Sequence, residues 1–221
     1  MATTAQAIER FALVTGIPEP HVGRVARILQ LAKGADMKSL DLWPTGKQGG
    51  GKSAVHIQPS HVVNLAIALA VADPITIGPG RVLAFRDLVL QPPEGTSAFG
   101  DMFDGLIDLF ARPEGRKARL TMHRYGAGVL LYPTQRPLAV FEHHHDDKQT
   151  FYLNFAARPE DPLTPALHMR VRVMGITRIG SININIIEMM SDLWADSRSK
   201  VPAFAEMPPL FPVNPFDRES L

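Results

Sequence analysis

The sequence predicts an α+β fold in which short helices and a glycine-rich hairpin precede an antiparallel β-meander with flanking helices. Three observations carry this. Apolar residues recur at helical spacing before residue 34 and again over residues 60–72 and 97–110; period-two runs dominate after residue 118; and Gly, Pro and Asp clusters punctuate both regions.

Thr4 is placed to cap a first helix running to about Val14, with Ile8, Phe11 and Leu13 on its apolar side and Gly16 as its stop. Pro18-Glu19-Pro20 suits the start of a second helix, in which Val22, Val25, Ala26 and Leu29 follow at spacings of three and four up to Gly34. His21, Arg24 and Arg27 form a polar ridge on the other side of that helix. Leu40 and Leu42 alternate around Asp41, and Val55 and Ile57 around His56, which reads as a β-hairpin with the glycines at its tip. Ser60 is placed to cap the apolar helix HVVNLAIALAVAD. The region beyond begins with RVLAFRDLVL, a strand or short helix, followed by an amphipathic helix over TSAFGDMFDGLIDLFARP. ARLTMHRY, GVLLYP, PLAVFEH, TFYLNFAA and LHMRVRVMGI are expected as strands, and SININIIEMMSDLW as a closing helix whose alternating start could extend the last strand. The resulting division is residues 1–75, residues 81–199, and a Pro-rich tail over 200–221.

A chain of 221 residues with 45% hydrophobic content can bury a core. It has no cysteine, which excludes disulfides, thiolate metal sites and cysteine nucleophiles. The opening residues suit a folded helix better than a signal peptide, and the apolar stretch from Val62 to Ala72 is broken by Asn64 and too short to span a bilayer. A cytoplasmic protein is expected. The net charge of +1 is unevenly spread: between His21 and His56 the basic residues exceed the acidic ones by four, whereas residues 76–221 carry 16 Lys and Arg against 17 Asp and Glu.

The basic charge surrounds GKQGGGKS, residues 46–53, which fits the G-x-x-x-x-G-K-[ST] pattern of a nucleotide-binding P-loop. Its flanks do not supply the context. MKSLDLWPT alternates and carries Pro44 where a continuous apolar strand should feed the loop, and Pro59 interrupts the segment where a helix should leave it. A wing uses the same residues differently: Gly49, Gly50 and Gly51 allow close approach to a sugar-phosphate backbone, with Lys47, Gln48 and Lys52 supplying charge and hydrogen bonds. Arg24 and Arg27, with His21, would then read base edges in the major groove.

On FALVTGIPEPHVGRVARILQLAKG, LWPTGKQGGGKSAVHI and PSHVVNLAIALAVAD, the segment from Ile8 to Asp73 resembles a winged helix-turn-helix domain. Its order, with the wing followed directly by another helix, looks like that of MerR-type proteins, and it is similar to DNA-binding proteins of prophages and related mobile elements. The resemblance implies a non-enzymatic, sequence-specific double-stranded DNA-binding protein that regulates transcription. It would act as a homo-oligomer without a cofactor, the second region holding the assembly interface or an effector site. The coiled-coil helix and cysteine metal site of MerR proteins do not follow, so metal sensing is not implied. Alternatives are a small-terminase-like packaging or replication-initiation component, and a P-loop nucleotide-binding protein.

EHHHDD, residues 142–147, is the other conspicuous cluster. His143 and His145 would share a strand face and Asp146 or Asp147 could add an oxygen ligand, but a solvated hairpin turn is the favoured reading, because no second ligand-rich segment accompanies it. His123 and His168 are expected as paired structural residues in strands, and no Ser-His-Asp nucleophile elbow is present.

Overall fold

A computed structural model of the chain describes residues 2–45, 56–71, 78–91, 97–133, 137–144, 150–157 and 180–198. The fold is mixed α+β, with seven α-helices and one five-stranded antiparallel sheet among the described residues. Helices α1 (Thr4–Thr15), α2 (Glu19–Gln30), α3 (Pro59–Val71) and α4 (Pro79–Arg86) lead to the short strand β1 (Val89–Leu90). After α5 (Phe99–Phe110), a 3-10 turn and α6 (Arg116–Tyr125), strands β2 (Ala127–Tyr132), β3 (Leu138–His144) and β4 (Thr150–Ala156) form the meander. Strand β5 (Gly180–Asn183) then runs directly into α7 (Ile184–Arg198).

The helices end where local chemistry dictates. Thr3, one residue earlier than expected, caps α1 in a reciprocal box with Gln6. Gly16 ends that helix in the left-handed conformation, with φ of 70°, and donates its N–H to the Ala12 carbonyl at 3.0 Å. Three residues, Gly16 to Pro18, therefore suffice to connect α1 to α2. Helix α2 stops at Gln30 rather than Gly34, because the chain folds back on itself: Leu40 donates to the Ala32 carbonyl and Gly34 to the Lys38 carbonyl.

That reversal overturns the expected first arm of the hairpin. Ser39 pairs with Lys33 in an isolated bridge, Asp41 adopts a left-handed φ of 50°, and the adjacent Leu42 and Trp43 are both buried. A left-handed residue between Leu40 and Leu42 breaks the pleat on which their alternation depended.

Helix α3 is buried around nearly its whole circumference, as an evenly apolar helix must be. It packs against α2, α4, α5 and α7 and against β2 and β5. The sheet has the order β1-β4-β3-β2-β5, and Val129, Phe141 and Leu153 align across it in one row, with Leu131, Ala139 and Phe155 in another. Phe99 of α5 meets Phe155 edge-on at 5.3 Å, fixing helix to sheet. Buried residues from Ala2 to Trp194 form one continuous cluster, so the core is shared across the expected boundary near residues 75–81.

ARLTMHRY is a helix, not a strand. Ala118 and Met122 lie four residues apart toward the protein while Leu120 remains 60% exposed, so the burial follows a helical period that the alternation of Leu120 and Met122 concealed. Arg119 seals this side of α6 against α7 by pairing with Glu188 and Asp192. SININIIEMMSDLW divides into both expected elements, strand and then helix. LHMRVRVMGI, His168 and the Pro-rich tail lie outside the described residues. No described helix is long and apolar enough to cross a membrane.

Gly180 on β5 sits against α3 so closely that an added Cβ would lie 2.5 Å from the Ala70 carbonyl oxygen, whereas Gly23 on α2 faces open space. Gly180→Ala is expected to destabilise the protein by about 1–3 kcal/mol through forced displacement of backbone. Gly23→Ala is expected to stabilise it by up to about 1 kcal/mol through helix propensity. Urea denaturation of both variants checks the contrast.

Candidate nucleic-acid interface and its support

The surface of α2 follows from its sequence period. Val22, Val25, Ala26 and Leu29 are buried, which turns Arg24 and Arg27 outward as exposed residues and leaves His21 half-buried at the flank. Glu19 stands in the first turn and Arg27 in the last, each at the helix end that its charge favours.

Gln30 connects this helix to the start of the glycine-rich segment. Its side-chain oxygen accepts a hydrogen bond from the Arg27 guanidinium, and its Nε2 donates to the Pro44 carbonyl at 2.9 Å. The chain therefore leaves toward Gly46 from a point fixed beside the last turn of α2. Leu42 and Trp43, 3% exposed each, anchor the same stretch in the core. On the return side, Ile57 is fully buried just before α3. Lys47, Gln48, Gly49, Gly50, Gly51 and Lys52 lie outside the described residues, so of the expected DNA-contacting set only His21, Arg24 and Arg27 are located.

A buried polar network supports that base. Asn64, in the middle of α3, donates to the Leu42 carbonyl at 2.9 Å and accepts from Arg86 Nη1 at 3.2 Å. Arg86 in turn forms a two-point pair with Asp104, at 3.1 and 2.6 Å. One chain of contacts thus joins α5, α4, α3 and the backbone at Leu42. Burial raises the Asp104 carboxyl above its ordinary pKa despite the opposing pull of Arg86. His61 lies in the first turn of α3, where its Nδ1 accepts the Gln58 N–H at 3.1 Å. Burial lowers its pKa; Asp41 pulls it back up and Arg86 pushes it further down. The Gln58 bond also requires an unprotonated Nδ1.

No local pattern in the sequence points to Gln30, Arg86 or Asp104. The one available signal was Asn64, a polar residue in an otherwise apolar run that must find partners once buried.

Other expected sites resolve differently. Glu142, His143 and His144 belong to β3 rather than to a turn; His143 is buried beside the Phe151 ring, and His144 Nδ1 lies 2.8 Å from Thr150 Oγ1. His145, Asp146 and Asp147 are outside the described residues, among which no group of three or more His, Asp or Glu converges as a metal site. His123 lies on α6, not on a strand, with Nδ1 3.2 Å from Glu188. The P-loop pattern lacks its feeding strand here, because residues 40–45 belong to no sheet and every described strand pairing is antiparallel.

Arg86→Met is expected to cost about 3–5 kcal/mol by leaving Asp104 buried without its cation, and Arg86→Met/Asp104→Leu to recover much of that loss. A double-mutant cycle in urea measures the coupling. For His61, the unfolded side chain takes up a proton near pH 6.5 and the folded one only at lower pH, so its contribution is fully present above about pH 6.5 and lost as pH falls below it. The wild type should therefore lose more stability between pH 7.5 and 5.5 than His61→Gln does, as read by denaturation at each pH.

Compared with models of known families, with curated proteins and with solved structures, the chain matches none.

Proposed function

We propose that this chain is a sequence-specific double-stranded DNA-binding protein of the winged helix-turn-helix kind, acting as a transcriptional regulator of phage or mobile-element type. In this reading the outward face of α2 enters the major groove and residues 46–52 lie along the backbone as a wing. The observation that supports it best is the link from Arg27 through Gln30 to the Pro44 carbonyl, which sets the start of the glycine-lysine segment beside an exposed arginine face. A helix and a segment that starts beside it can meet neighbouring parts of one duplex.

The roles differ by chemistry. Arg24 and Arg27 present planar guanidinium forks suited to the O6 and N7 acceptors of guanine, with His21 beside them. Lys47 and Lys52 supply point charges to phosphates, and the intervening Gln48, Gly49, Gly50 and Gly51 let the main chain come close. One such unit makes few contacts, so a homo-oligomer would supply the remaining affinity.

Binding to duplex fragments from the protein's genomic neighbourhood, titrated against salt, tests the reading. Lys47→Ala/Lys52→Ala should weaken binding to all sequences alike and reduce the salt slope by about 2. Arg24→Ala/Arg27→Ala should cost about 1–3 kcal/mol per lost base contact and erode discrimination between sequences. A folded wild type that binds no duplex at low salt, or that shows no preference among fragments, would overturn the reading.

A further inference from the structure

Helix α6 presents a second basic surface, separate from α2. Arg116, Leu120 and Arg124 succeed one another at intervals of four on its solvent side, with Lys117 beside them, and all four are exposed. The helix contains no acidic residue. Arg119 is the exception to this exposure, turned toward α7 and occupied by Glu188 and Asp192. Arg116, Lys117 and Arg124 make no ion pair among the described residues; Arg124 instead rests over the Tyr125 ring, 5.2 Å from its centre. Three cations therefore stand on one helix face without a countercharge among the described residues.

We propose that this face of α6 binds the phosphate backbone of duplex DNA without regard to sequence, as a second contact surface in addition to α2 and residues 46–52. Charge complementarity identifies a polyanion as the occupant. The geometry favours a duplex: Arg116 and Arg124 are about 12 Å apart along the axis, at 1.5 Å per residue. That separation is comparable to the roughly 12 Å width of the major groove, so cations at the two ends can reach phosphates on opposite strands. A membrane fits less well, because an interfacial helix must insert an apolar face, and α6 already commits Ala118 and Met122 to the protein. An acidic peptide fits less well, because the only large apolar side chain exposed on this helix is Leu120, and cations around one leucine offer few anchors.

The proposal shares its ligand class with the reading above but uses different residues, so the two can fail separately. The test measures binding of the full-length chain to a random-sequence 30-base-pair duplex across a salt series. It compares wild type, Arg116→Gln/Lys117→Gln/Arg124→Gln, and the Arg24→Ala/Arg27→Ala variant. Glutamine keeps helix propensity, and unchanged circular dichroism and melting confirm the fold. The α6 variant should lose at least tenfold in affinity at low salt, and the slope of log K against log salt should become shallower by about 2 to 3, near 0.9 per phosphate contact. Arg116→Lys/Arg124→Lys should restore most of the binding.

Unchanged affinity and slope in the α6 variant would overturn the proposal while leaving the α2 reading intact. Loss of duplex binding in the α6 variant alone, with no sequence preference in the wild type, would support the proposal and overturn the α2 reading. Binding of poly-glutamate or of vesicles containing phosphatidylserine as tightly as the duplex, lost in the same α6 variant, would overturn the assignment to DNA.

Discussion

The structure depends on enclosing α3. A helix that is apolar on every side has no face to give to water, so protein must surround it, and α2, α4, α5, α7 and two strands do so. This requirement draws residues from both ends of the chain into one core: α1 packs against α7, and β5 approaches the backbone of α3 at Ala70. Placing Asn64 inside such a helix adds a second constraint. A buried amide without partners costs several kilocalories per mole, so its position obliges the Leu42 carbonyl and Arg86 to meet it.

That obligation links the core to the surface proposed as functional. The backbone entering the glycine-rich segment is held from inside by Asn64 and by the burial of Leu42 and Trp43, and from outside by Gln30. A segment rich in glycine gains little from its own side chains, and its direction of departure must come from whatever fixes its base. Arg86 and Asp104 contribute one step removed, by holding the amide that holds the backbone. Their pair serves geometry more than stability, since burial works against the Asp104 charge even with Arg86 beside it.

Several elements were legible because their local signals agreed with their surroundings. Glycine after α1, proline at the start of α2 and the three-and-four spacing of Val22, Val25, Ala26 and Leu29 all describe the same helical pair. The meander was legible for the same reason, with turn residues separating runs that alternate. Residues 40–43 and 118–125 depart from the strands expected there, because two periods compete over few residues. In the first, a left-handed Asp41 breaks an apparent alternation; in the second, Leu120 is left in solvent because α7 and β3 lie on the side occupied by Met122.

The sequence by itself determined the α+β class, the polar ridge of His21, Arg24 and Arg27, and the concentration of positive charge around residues 46–52, because periodicity and charge are local properties. Only the tertiary structure decided that Gln30 ties the ridge to the base of the glycine segment, that Asn64 meets Arg86, and that α6 turns three cations outward. Those outcomes depend on contacts between residues 14 to 22 positions apart and on which face of a helix its neighbours cover. No local pattern encodes such pairings, because burial of the shared core selects them.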